Sequence, residues 1–171
     1  MEALEVIATR RSVRKYTPKP VGEDVVRLLV AAAMAAPSAG NAQPWYFGVF
    51  DDRQLLDQFP TIHPHAEMVR GAPLAVLVCG DLKLEKYPGN WPLDCAAAAE
   101  NLLLAAHAVG LGAVWTGVYP DAQRMQAFRE LLGLPSNIMP HAFIPVGYPA
   151  ENIPREYRFQ EQRIFRNRWP A

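Results

Sequence analysis

The run DCAAAAENLLLAAHAV, residues 94–109, constrains the fold most. Alanine is the strongest helix former and leaves no bulk between packed elements, so this run predicts a long, nearly buried helix that a neighbour can approach closely. Asp94 is the expected N-cap and Gly110 the expected stop. A second helix is predicted for GEDVVRLLVAAAMAAP, residues 22–37, with Glu23 and Asp24 at its positive end and Pro37 after it. Four apolar runs read as strands: WYFGVFDD (45–52), LAVLVCGD (74–81), GAVWTGVYP (112–120) and FIPVGYP (143–149). Shorter helices are expected around Leu4, Val6 and Ile7, over RQLLDQF (53–59), and over DAQRMQAFRELLGLP, capped by Asp121 and stopped by Gly133. Helices and strands in alternation, with no repeat, low-complexity tract or linker, predict one domain of layered sheet and helices over residues 1–171.

A chain of 171 residues, half of them hydrophobic, can bury roughly 70% of its unfolded surface. Lys+Arg and Asp+Glu are both 17, so nothing in the charge balance points to nucleic acid or an anionic membrane. Cys79 and Cys95 have apolar neighbours and read as small buried hydrophobes. MEALEVIATRR has no signal-peptide core, and no apolar run reaches the ~20 residues of a membrane span, so a cytoplasmic location is expected.

The chemistry concentrates in two stretches. ATRRSVRKY, residues 8–16, sets Arg10, Arg11, Arg14 and Lys15 around Ser12 where the first helix ends and before the Pro18/Pro20 connector. Guanidinium forks match phosphate oxygens, although such a cluster on its own also reads as a solvated helix end. AAPSAGNAQPW, residues 35–45, is a helix-terminating turn that carries Ser38, Asn41 and Gln43 directly into a strand. Amides there suit a flat heterocycle or a polyol.

Together the stretches resemble the flavin-binding signature of the FMN-dependent nitroreductase family, whose Pro-Ser-x-x-Asn-x-Gln-Pro-Trp pattern is matched at Pro37, Ser38, Asn41, Gln43, Pro44 and Trp45. Residues 94–120 resemble the family's central helix and following strand, and PVGYPAENIPREYRF its last strand and basic tail. The resemblance covers essentially the whole chain. It implies an α+β fold, a nitroreductase-like sandwich with a mostly antiparallel central sheet flanked by helices, as an intertwined homodimer with FMN at the subunit interface. Arg10, Arg11, Ser12 and Arg14 would face the cofactor, with Arg14 near N1 and the others toward the phosphate. The backbone at Trp115, Thr116 and Gly117 would approach N5 and the C4 carbonyl. Ser38 and Asn41, with Pro37 and Gln43, would come from the partner. Arg155 or Arg158, the latter preferred, would complete the phosphate site, and the arm 150–171, with Tyr157, Phe159, Phe165 and Trp169, would wrap the other subunit.

The function so implied is an FMN-dependent oxidoreductase passing electrons from NADH or NADPH to a nitroaromatic, quinone or similar small acceptor by ping-pong turnover. The flavin carries the chemistry and no catalytic side chain is required. An FMN storage or sensor protein and a flavin-dependent dehalogenase are the alternatives. Two departures bear on the site. The segment HPHAEMVRGAP lacks the Asn or Lys that relatives place beside the pyrimidine, and Thr116 stands where many larger relatives have a glutamate. His63 and His65 have no accompanying metal-ligand set and read as solvated loop residues. His107 reads as packed, and His141 as capping a core strand. Trp45, Trp91 and Trp115 read either as core or as walls of the site.

Overall fold

In the computed structural model, which describes residues 1–169, the elements run α1 (Ala3–Thr9), α2 (Glu23–Met34), β1 (Trp45–Phe50), α3 (Arg53–Leu56), α4 (Phe59–Ile62), β2 (Leu74–Asp81), α5 (Trp91–Ala108), β3 (Gly112–Ala113), β4 (Thr116–Gly117), α6 (Ala122–Leu132) and β5 (Ile138–Gly147). The sheet order is β1-β2-β5, with β3 and β4 both on the far side of β5, and every strand pair is antiparallel. Every residue of β2 is buried, as an apolar run inside a sheet covered on both faces requires. Leu74, Val76 and Val78 pack with α2 and α5, while Ala75, Leu77 and Cys79 pack with Leu56, Phe59 and Phe128 on the opposite face. The layered α+β architecture is as expected. No helix among the described residues is long and apolar enough to cross a membrane.

The boundaries differ from expectation for identifiable reasons. Helix α5 begins at Trp91, after Asn90 and with Pro92 in its first turn, so Asp94 lies inside the helix and is not its cap. The helix buries a stripe from Trp91 through Cys95, Ala98, Ala99 and Leu102 to Ala106, and its outer face carries Leu93 into solvent. Strand β1 stops at Phe50, because Asp52 caps α3 by accepting from the Leu55 N–H at 2.8 Å. The segment 53–59 splits into two short helices, with Pro60 opening the second. Strand β5 starts at Ile138, earlier than the apolar run alone suggested.

The predicted strand 112–120 is divided between β3 and β4, yet the register is continuous: Gly112 faces Gly147, Ala113 faces Val146, Thr116 faces Phe143 and Gly117 faces Ala142. The lapse falls where the Val114 N–H reaches the Pro145 carbonyl at 3.3 Å. Proline has no N–H to return, so the ladder loses one bond there without losing its course.

Candidate functional site

The Arg-rich segment is anchored to the sheet edge by its own backbone. Ser12 bridges to Ala113, and the Val13 N–H donates to the Ala113 carbonyl at 3.0 Å. This approach requires Gly112, since a Cβ there would lie 2.6 Å from Val13 Cβ. Further along, the Tyr16 hydroxyl donates to the Val13 carbonyl at 2.6 Å, and burial raises its pKa above the ordinary 10. A carboxylate oxygen of Glu151 accepts from the Arg14 and Lys15 N–H groups at 2.7 and 3.1 Å.

Beyond this anchor no strand pairs with the edge among the described residues. Val114 and Val118 both donate into β5, at 3.3 and 3.0 Å. In an antiparallel ladder alternate residues point the same way, so the N–H groups of Trp115 and Gly117 point away from β5. They face a cavity of about 560 Å³ whose lining includes Arg14, His63, His65, Trp115, Thr116, Gly117 and Arg124. Gly117, unlike Gly112, has room: a Cβ would come no closer than 3.6 Å, to the Tyr119 carbonyl. The fold itself does not demand a glycine there, whereas close approach of a ligand to the strand edge does.

A second cavity of about 560 Å³ is lined by Arg11, Ser12, Arg14, Arg155 and Arg158 among others. Arg14 lines both cavities, so the two meet at its side chain. The expected cations are not equivalent. Arg11 donates to the backbone carbonyls of Arg10, Pro154 and Glu156 at 2.8, 3.0 and 3.0 Å, tying the start of the tail to the cluster. Arg10 turns to Glu100 on α5 at 3.3 Å and lies outside this lining. Arg158 pairs with Glu156 at 2.8 Å on the surface. Among the described residues Arg14 makes one long hydrogen bond with its guanidinium, to the Ser12 carbonyl at 3.3 Å.

Pro37, Ser38, Asn41 and Gln43 line neither cavity. Their loop is wound tightly: Gly40, Asn41 and Gln43 have φ of 59°, 55° and 49°. Left-handed backbone at two non-glycine residues is costly and persists only where surroundings impose it. Here the Ser38 hydroxyl accepts from the Gln43 N–H at 2.9 Å, the Gln43 amide donates to Asn41 Oδ1 at 2.9 Å, and Lys86 donates to the Gly40 carbonyl at 2.6 Å. Asp94 holds the loop from below, accepting from the Ala39 N–H at 2.8 Å.

Several side chains escaped sequence reasoning. His63, expected in solvent, is 1% exposed, and burial, with Arg124 and His65 nearby, lowers its pKa from 6.5 to about 4. His141 does not cap β5 but lies within it, buried between Trp115 and Tyr119 at ring distances of 5.5 and 5.7 Å. Burial likewise lowers its pKa to about 4. Arg124 was legible only as a residue of the Asp121-capped first turn. His107 is packed as expected, its Nε2 lying 2.8 Å from the Thr9 hydroxyl. Trp45 and Trp91 are core, while Trp115 is half-buried and walls the first cavity. Cys79 and Cys95 are buried, and burial pushes the Cys79 thiol up to about 12.

Comparison with known proteins gives the chain's family and fold relatives. A model of the nitroreductase family matches residues 7–67 and 61–148. A protein of Methanothermobacter thermautotrophicus, named as an NADH dehydrogenase/NAD(P)H nitroreductase, is 47% identical over 169 residues, covering 99% of this chain and 88% of its own. A crystal structure under the same name from Parabacteroides distasonis superposes with a TM-score of 0.94 at 44% identity, over 98% of each chain. A nitroreductase of Desulfovibrio desulfuricans, solved in complex with FMN, superposes with a TM-score of 0.85 at 32% identity, over 99% of each chain.

Proposed function

The chain belongs to the nitroreductase family, and on that premise we propose that it is an FMN-dependent oxidoreductase drawing electrons from NADH or NADPH and delivering them to small acceptors such as nitroaromatics or quinones. One observation carries the cofactor assignment: the unpaired Trp115–Gly117 edge backs a cavity that joins an arginine-lined cavity at Arg14. Backbone donors at one end and guanidinium groups at the other suit a flat, acceptor-rich ring joined to a phosphate.

The chain's residues divide the work. Ser12, with Arg155 or Arg158, binds the phosphate, while Arg11 holds the tail in place and Arg10 steadies the cluster against α5. The Gly117 N–H orients the ring edge, and Arg14 favours negative charge on its pyrimidine side. Ser38, Asn41 and Gln43 of the partner subunit, with Pro37 of the partner subunit shaping their turn, close the site from across a homodimer interface. The arm 150–171 wraps that partner; its last two residues lie outside the described residues. When bound, FMN supplies two-electron chemistry, which allows donor and acceptor to use one face in turn. The whole chain, residues 1–171, forms one FMN-binding unit, and its donor supply suits a cytoplasmic enzyme.

The test is the visible spectrum of the purified protein before and after anaerobic NADH or NADPH. Flavin bands that bleach within seconds are expected, and the faster donor identifies the preference. Bands that persist with both donors would favour a binding protein without turnover. A colourless protein that ignores added FMN would overturn the assignment.

A further inference from the structure

Gly117 lies on the open edge with no side chain to pack it in place, so its backbone torsions are restrained through contacts to its peptide groups. Its neighbours are fixed on the β5 side: the Thr116 hydroxyl donates to the Phe143 carbonyl at 2.6 Å, and the Val118 N–H donates into the ladder. The Gly117 carbonyl, like its N–H, points away from β5 and has no strand to pair with. Arg124 takes that carbonyl, with Nη1 at 2.5 Å. The same guanidinium reaches Asp121 Oδ2 at 3.3 Å, and Asp121 caps α6 through the Arg124 N–H at 2.9 Å. The arginine is therefore gripped at both its backbone and its side-chain end, and at 19% exposure its side chain is little screened by water.

We propose that Arg124 is a positioning residue for cofactor binding: by gripping the Gly117 carbonyl it restrains the φ and ψ of this side-chain-free residue, and so keeps the Gly117 N–H, which lies in the preceding peptide plane, aimed at the flavin ring edge. The inference rests on the FMN assignment above. A guanidinium suits this work because its planar fork can hold a carbonyl and a carboxylate at once, which a single ammonium does less well. His63 lines the same cavity as Gly117 and Arg124. Its Nδ1 accepts from the His65 N–H at 3.2 Å, which assigns the proton to Nε2. That atom is buried and has no hydrogen-bond partner among the described residues. Among the described residues the Gly117 carbonyl therefore has one hydrogen-bond donor, Arg124.

The experiment dialyses full-length wild type, Arg124→Leu and Arg124→Lys against graded FMN, and records Kd, the shape of the bound flavin's absorption band, and melting temperature without FMN. The expected result is a Kd raised about tenfold in Arg124→Leu. Its band shape should also change, because the hydrogen bond at the ring edge is lost. Arg124→Lys should recover part of the affinity, with melting temperatures close to wild type in both. An unchanged Kd and band in Arg124→Leu, beside a wild type that binds FMN, overturns this inference alone. A Kd that rises only in step with a lowered melting temperature, unrescued by lysine, overturns it too. A wild type that binds no FMN overturns the cofactor assignment and this inference with it.

Discussion

Residues 10–16 are held on three sides by their own chain, whereas the loop 38–43 is held only from behind. The first segment is bonded to Ala113, to Glu151 and to the backbone after β5. The second is bonded within itself, to Lys86, and to Asp94 beneath it, and it contributes nothing to the cavities that the first segment helps to line. Yet the loop carries the greater conformational cost, with two non-glycine residues in left-handed backbone. A strained loop of ordered amides that lines neither of these two cavities suits the proposed role in the partner subunit's site. The tail, with Tyr157 and Trp169 79% and 78% exposed, suits the proposed wrapping arm in the same way.

That contrast can be broken outright. Ending the chain after Glu156 should give the largest effect, loss of both the dimer and the bound flavin in light scattering and absorbance; a truncated protein that stays dimeric and yellow would refute the wrapping arm. A sharper cut uses two weak variants. Arg14→Ala damages the self-held half and Asn41→Ala the loop half, and each should raise the FMN Kd about tenfold with little change in melting temperature. Unfolded together and refolded as mixed dimers, they should regain a fraction of tight sites, because one site in each mixed dimer then receives an intact Arg14 and an intact Asn41 of the partner subunit. No recovery would mean that both residues serve one site from one chain.

A smaller effect tests the support under the loop. Asp94→Ala removes the acceptor of the Ala39 N–H and should weaken FMN binding severalfold, while Asp94→Asn, which keeps an acceptor oxygen, should restore most of it. Equal losses in both would show that the charge, not the hydrogen bond, matters.

Acid sensitivity is a separate test, read as stability and not as affinity, on two buried histidines outside both segments. His63 and His141 are buried neutral with pKa values lowered from 6.5 to about 4. Below pH 6.5 the unfolded chain binds protons that the native chain excludes, so stability falls as pH drops from 6.5 toward 4. The slope is at most about 1.4 kcal/mol per pH unit for each histidine. It should level off below pH 4, where the native histidines also protonate. Denaturant melts across this range check the sign, and His63→Phe should flatten the slope.

What the sequence made legible were features set by local chemistry: the apolar run of β2, the Asp121 cap, the arginines at a helix end and the turn residues before Trp45. What it hid depends on distant packing. Asp94 looked like a cap because capping is a local habit, but Pro92 lets the helix start earlier and turns the carboxylate toward a loop 55 residues away. His63 looked solvated because its neighbours are polar, yet Phe128 of α6 packs against its ring. The strand 112–120 was legible as a strand but not as an interrupted one, since the cause, Pro145, lies on its partner.

The shortness of the unpaired edge has a consequence for how the protein keeps to itself. Unpaired strand edges invite foreign strands, and the usual protections are charge, proline and brevity. Here Ser12 and Val13 close one end, Pro120 offers no N–H at the other, and Arg124 occupies the carbonyl between them. An intruding chain would find too few consecutive bonds to register against. A small planar molecule needs only one or two. The same stretch of backbone is therefore closed to aggregation and open to a ligand.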